Sequence, residues 1–182
     1  MLDKDIEQVM LSEDDIAQIV KRLGQELKRD YHDKFPIVIG LLKGCIPFMS
    51  DLIREMDMHI ELSFMNISSY FGGIESTGDV KIEMDLGMPV KNRHVLIAED
   101  IVDTGRTIKA VVELLKYRGA ASVKVVTLID KPAGRVTEYQ PDYVGQMIPK
   151  AFVVGYGLDY EEKYRNLPYV GTLKPSVYMN EE

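Results

Sequence analysis

The sequence predicts an α/β protein with one mostly parallel central sheet flanked by helices. Three observations carry this reading. Residues 95–98 (Val-Leu-Ile-Ala) form a short apolar run, the pattern of a strand buried on both faces. Ile108, Val111, Val112 and Leu115 then fall at helical spacing, and 123–129 is a second apolar run. Strands alternate with helices across 37–129, as parallel strands joined by crossover helices require.

The elements follow in order. Ser12 with Glu13, Asp14 and Asp15 reads as a helix N-cap and an acidic first turn. Ile16, Ile19, Val20, Leu23 and Leu27 supply the apolar stripe of that helix. Residues 36–42 read as a buried strand and 48–56 as the helix after it. Strands at 60–67 and 80–84 flank a polar, glycine-rich loop. After the 95–98 strand and its helix, Gly119 stands where a C-cap is expected. Further strands are expected at 143–147, 152–154 and 169–173. The first helix and these later short strands are expected to form a smaller subdomain over the sheet edge.

The chain has 182 residues and reads as one domain, able to bury roughly 70% of its unfolded surface. Hydrophobic content of 46% and charged content of 28% are those of an ordinary globular protein. A net charge of −7 argues against a nucleic-acid surface, so anionic ligands must be met by local cations or a metal. The single cysteine, Cys45, excludes an internal disulfide and fits a reducing compartment. The charged start Met1-Leu2-Asp3-Lys4-Asp5 lacks the apolar core of a signal peptide, and no stretch is apolar enough to span a bilayer. The expectation is a cytoplasmic protein with neither membrane nor nucleic-acid partner.

The chemistry concentrates between the 95–98 strand and the next helix. Glu99 and Asp100 are adjacent acids, and Asp103, Thr104, Gly105, Arg106 and Thr107 form a hydroxyl-rich loop. A loop opening a helix offers backbone N–H groups to a phosphate. Paired acids just upstream suit sugar hydroxyls or a hard metal ion. Three acids within five positions cost stability unless a ligand or cation compensates them, which marks a site rather than an ordinary helix start. Neither a G-x-x-x-x-G-K-[ST] loop nor a G-x-G-x-x-G turn occurs. Cys45 has no evident histidine partner, and His32, His59 and His94 lie far apart with no zinc spacing.

The run from Val95 to Thr107 closely resembles the phosphoribosyl pyrophosphate motif of the phosphoribosyltransferases. The resemblance extends from about Pro36 to Lys174 and is strongest to the bacterial hypoxanthine-guanine branch. It implies the type I phosphoribosyltransferase fold over 1–182, with a small hood built from the N- and C-terminal segments. It implies that Glu99 and Asp100 face the ribose hydroxyls, directly or through magnesium, and that the 103–107 loop holds the 5′-phosphate. Lys43 and Gly44, after the first core strand, would grip pyrophosphate in a tight loop whose Leu–Lys bond is often cis in that branch. Ser69 and Tyr70 resemble the start of a loop that closes over the reacting centre.

By the same resemblance, Asp103 would take or stabilise the proton of the purine ring nitrogen N7. Lys131 would read the purine, Phe152 would stack on it, and the Val153 backbone would read its edge. Asp159 would approach a second metal ion and the purine, and Arg165 would contact pyrophosphate. The implied cofactor is Mg²⁺. The implied ligands are phosphoribosyl pyrophosphate, hypoxanthine or guanine, and the purine nucleoside monophosphate formed in purine salvage. A homodimer or homotetramer is expected. The alternatives are a sister transferase for another base, and a nucleotide-binding regulator on the same fold. The acidic pI near 5.1 disfavours a regulator that binds RNA or DNA.

Overall fold

The computed structural model describes residues 2–69 and 80–178. Its strands, in chain order, are β1 (Ile6–Leu11), β2 (Ile37–Leu42), β3 (Glu61–Ser69), β4 (Val80–Met84), β5 (His94–Val102), β6 (Ser122–Asp130), β7 (Tyr143–Met147), β8 (Val153–Val154) and β9 (Val170–Leu173). The helices are α1 (Glu13–Tyr31), α2 (Ile46–Glu55), α3 (Arg106–Tyr117) and the short α4 (Pro175–Tyr178). Six strands form one sheet in the order β4-β3-β2-β5-β6-β7, parallel except for β4 at its edge. The remaining three form an antiparallel sheet, β1-β9-β8.

The apolar runs split as strands buried on both faces should. Val38, Leu96, Ala98, Val126 and Leu128 pack with α1 and α2 on one side of the main sheet. Ile37, Ile39, Val95, Ile97 and Val125 pack with α3 on the other. The chain runs from β2 outward to β3 and β4, then returns beside β2 with β5 and continues outward through β6 and β7. Strand order therefore reverses between β2 and β5, and ligands of open α/β sheets bind at the carboxyl ends beside such a point.

Helix boundaries carry the expected chemistry. Ser12 and Asp15 form a reciprocal capping box at α1: the Asp15 N–H donates to Ser12 Oγ at 3.2 Å and the Ser12 N–H to Asp15 Oδ2 at 2.9 Å. Helix α3 closes on a left-handed Gly119 (φ 83°), its N–H donating to Lys116 O at 2.9 Å and that of Ala120 to Leu115 O at 3.2 Å. This is the complete Schellman pattern.

Four expectations differ from the structure. The strand at 143–147 does not join the small sheet: as β7 it pairs in parallel with β6 at the edge of the main sheet. Helix α1 does not join the small sheet, because its buried Leu23 and Leu27 belong to the core beneath the main sheet. The N-terminal contribution to the small sheet is instead β1, which was not expected. Its exposed Glu7, Gln8 and Val9 break any apolar alternation, and its pairing with β9 is irregular at two places. Strand β5 continues through Glu99 and Asp100 to Val102, because its ladder with β6 carries on to Val102 and Asp130. The two acids thus sit inside a strand. Among the described residues no helix is long and apolar enough to cross a membrane.

Helices α1 and α2 cross closely at Gly24, where a Cβ would overlap that of Glu55 and lie 2.9 Å from its backbone carbonyl carbon. Alanine normally gains about 0.5–1 kcal/mol over glycine inside a helix. Here the overlap with α2 backbone should outweigh that gain, and overpacking typically costs about 1–3 kcal/mol. Gly24→Ala is expected to lower stability in denaturant unfolding, with an unchanged m-value.

Candidate active site

Strand β5 delivers the acids to the switch point. Asp100 is buried at 8% exposure, and Glu99 is partly buried beside it. Burial first, and then the neighbouring Asp100 carboxylate, push Glu99 well above the ordinary carboxylate range. Burial raises Asp100 as well, opposed by hydrogen bonds from Glu99 and the Ile101 N–H and by the Arg165 charge. The pair is therefore poorly compensated by protein alone, the condition a hard cation or sugar hydroxyls would relieve.

The end of β2 turns against this pair. A Cβ at Gly44 would overlap Asp100 Oδ2, so only glycine lets the chain pass. The Leu42–Lys43 peptide bond is cis. Cys45 follows, fully buried, as the N-cap of α2, and burial plus the Glu99 and Asp100 charges push its thiol up to about 12. A nucleophilic role for it does not fit these surroundings.

The 103–107 loop leads into α3 through a left-handed Gly105 (φ 78°), which as N-cap offers no side chain to the first turn. That loop and strand β5, with the 42–44 turn and Arg165, line a cleft of about 280 Å³. The cleft brings together Gly44, Glu99, Asp100, Asp103, Thr104, Gly105, Thr107 and Arg165. Arg106 is exposed and does not line it. Lys131, only 7% exposed, leaves the end of β6 and donates from Nζ to Asp103 Oδ2 at 2.7 Å.

Sequence reading passed over the residue that buttresses this loop. Arg135 donates from Nε to Asp103 O at 2.9 Å and from Nη2 to Val102 O at 3.3 Å. Its other contacts are the Tyr139 carbonyl and the buried Asp130 carboxylate. A second tie, Val136 N–H to Thr104 O at 3.0 Å, runs alongside. Gly134 lies so close that a Cβ there would overlap Asp103 Oδ1. The signal available in sequence was an arginine four residues after Lys131, too common a spacing to select alone.

At the rim of the cleft, around Arg165, lies a looser cluster. Arg165 donates to Gly157 O at 2.8 Å and pairs with Asp159 Oδ1 at 2.9 Å, while its buried Nε has no partner among the described residues. Among the described residues Lys43 is linked to this cluster only through Glu162, whose two carboxylate oxygens meet Lys43 and Arg165. Val153 is buried in β8, whereas Phe152 is 53% exposed with its ring edge-on to Tyr160 at 5.8 Å. Phe152, Val153 and Lys131 stand beyond the cleft lining. Ser69 ends β3 by backbone pairing with Val80, and Tyr70 lies outside the described residues.

Among the described residues no three of His, Cys, Asp or Glu converge as a metal cage. Glu99 and Asp100 do not meet Asp159, whose oxygens are taken by Arg165 and by the Glu162 N–H at 2.9 Å. The donors are hard oxygens, suited to a small divalent cation that completes its shell from substrate and water.

Comparison with known proteins gives a consistent answer. Residues 9–161 match the family model for the phosphoribosyl transferase domain. A hypoxanthine-guanine phosphoribosyltransferase of Lactococcus lactis is 56% identical over 177 residues, covering 97% of this chain and 96% of the relative. One from Bacillus subtilis is 54% identical over 178 residues, covering 98% and 99%. A crystal structure of a Staphylococcus aureus hypoxanthine phosphoribosyltransferase superposes with a TM-score of 0.95 at 52% identity, covering 98% of this chain and 97% of that one.

The acid pair sets a pH dependence. A carboxyl whose folded pKa is raised binds its proton more tightly when folded, so stability is lost as pH rises above its ordinary value of 4.5. Glu99→Gln should therefore stabilise the metal-free protein near neutral pH and flatten that loss. Urea unfolding across pH 5–8 in chelator checks this, and parallel curves for the two proteins would contradict it.

Proposed function

Because the chain belongs to the phosphoribosyl transferase family, we propose that it joins hypoxanthine or guanine to phosphoribosyl pyrophosphate in purine salvage, releasing pyrophosphate. The observation that carries the base assignment is the Lys131–Asp103 pair at 2.7 Å beside the cleft. A 6-oxopurine presents a carbonyl acceptor, O6, next to ring nitrogen N7, which carries a proton to be lost. Lysine is donor-only and an ionised aspartate acceptor-only, so the two side chains match those two edges in order. Phe152, half exposed above β8, supplies an aromatic face for stacking.

The chemistry asks for little covalent help. As the ribose C1–oxygen bond loosens, positive charge grows on the sugar and negative charge on pyrophosphate. Glu99 and Asp100 would face the ribose hydroxyls, and their negative charge would stabilise the electron-poor ring. The 103–107 loop would fix the 5′-phosphate, so that C1 and the purine nitrogen meet in line. Lys43, the 42–44 backbone and Arg165, whose Nε has no partner among the described residues, would receive pyrophosphate. Asp103 would take the N7 proton once Lys131 turns to O6. Mg²⁺, when bound through Glu99, Asp100 or Asp159, supplies charge neutralisation for the leaving group and grip on the ribose hydroxyls. The reading extends to the cytoplasm as compartment and to a homodimer or homotetramer. Leu62 and Phe64, on one face of β3, are exposed with Met84 of β4, an apolar strip that supports self-association.

Nucleotide formation with Mg²⁺, phosphoribosyl pyrophosphate and a panel of nucleobases tests the reading directly. Two variants test the pair. Asp103→Asn keeps shape but removes the basic oxygen, and turnover should fall about 10²–10⁴-fold while phosphoribosyl pyrophosphate binding changes far less. Lys131→Met should cost most with hypoxanthine and little with adenine, whose amino group faces the lysine donors. The ratio of kcat/KM for the two bases, compared between wild type and variant, measures this, since buried polar contacts can discriminate by about 10⁴–10⁵-fold. An unchanged ratio would remove Lys131 from base selection.

A further inference from the structure

Lys43 and Arg165, the two cations assigned above to pyrophosphate, are bridged by one carboxylate. Glu162 accepts from Lys43 Nζ at 3.0 Å through Oε2 and from Arg165 Nη2 at 3.2 Å through Oε1. Two oxygens of one anion spanning two separate cations is the arrangement a diphosphate would make. The bridge joins distant parts of the chain, because Lys43 follows β2 and Glu162 lies between β8 and β9.

The turn that presents Glu162 is held in place. Glu161 and Glu162 both take left-handed backbone conformations, with φ 52° and 62°, which side-chain-bearing residues seldom adopt. The Glu162 N–H donates to Asp159 Oδ2 at 2.9 Å, and Asp159 Oδ1 pairs with Arg165 at 2.9 Å. The same aspartate therefore fixes both the turn and one of the bridged cations. Glu161, next in the chain, points its carboxylate to Lys163 at 3.2 Å instead. One of two adjacent glutamates is committed to the cations, and the other is not.

We infer that Glu162 is a stand-in anion for the pyrophosphate group: it positions Lys43 and Arg165 while the site is empty and is displaced when the diphosphate binds. The inference rests on the pyrophosphate assignment made above. A single carboxylate carries less charge than pyrophosphate, so displacement is favourable. It still subtracts from binding, because the Glu162 pairs must be broken first. Both partners of the Lys43 pair are largely exposed, at 58% and 63%. Exposed ion pairs contribute little, so the subtraction amounts to about two- to fivefold in affinity.

Isothermal titration of the full chain with inorganic pyrophosphate, with and without Mg²⁺ and at low and high salt, tests this. Glu162→Gln should bind pyrophosphate about two- to fivefold more tightly than wild type, most clearly at low salt. The KM for phosphoribosyl pyrophosphate should fall while kcat does not rise. Structural damage would weaken binding, so tightening is not a readout that a merely structural role produces. Glu161→Gln removes the same charge one residue away and should bind as wild type. If Glu162→Gln binds no tighter than wild type, or if Glu161→Gln tightens equally, the inference is wrong. Lys43→Met separates the two levels: it should weaken pyrophosphate binding. Unchanged binding in Lys43→Met would overturn the pyrophosphate assignment and this inference together. Weakening there without tightening in Glu162→Gln would overturn this inference alone.

Discussion

The contact between the Asp100 carboxylate and the backbone of Gly44 is the constraint on which the rest of the site depends. It packs the turn after β2 against the end of β5 at the place where strand order reverses. From there the acids, the 42–44 turn and the 103–107 loop face a common cleft. The arrangement is costly, because burial drives both carboxylates toward their neutral forms. A sheet buried on both faces can tolerate such a cost at its edge, since the apolar ladder below it is continuous.

The site divides into a stiff half and a loose half. The half built on the 103–107 loop is braced from behind by Arg135, whose donors reach three backbone carbonyls and the Asp130 carboxylate. On the other half Lys43 is held by an exposed ion pair to Glu162, which also reaches the partly buried Arg165. Phe152 is likewise half exposed. Under the assignment proposed above, rigid placement would fall where a reacting carbon must be aligned and yielding contacts where a product must leave, as suits a transfer reaction.

The main sheet was legible because its central runs, β2 and the start of β5, are apolar without interruption and its helices carry stripes at the right period. Ser12 and Gly119 marked helix ends that the structure realises in full hydrogen-bonding detail. Strand β1 was not legible. Its partners in β9 lie more than 150 residues away, and Glu7 and Gln8 give no period of their own. The end of β5 was misjudged because charged residues normally stop a buried strand, whereas here the ladder with β6 continues past them. The motif residues stood out as a local cluster, so the cleft lining was largely foreseeable. Arg135 and Glu162 were not, because each acts through partners that only the fold brings near.

Cys45 lies directly behind the 42–44 turn with no exposed surface. Burial holds the thiol well above its ordinary value, so little thiolate forms near neutral pH. The chain's single sulfhydryl is thus chemically silent in the folded protein, although only one residue separates it from Lys43. Its alkylation requires the strand end and α2 to part, which would dismantle the cleft at the same moment. The rate at which a thiol reagent labels this protein is therefore a clock for opening of the site itself, readable without any introduced probe.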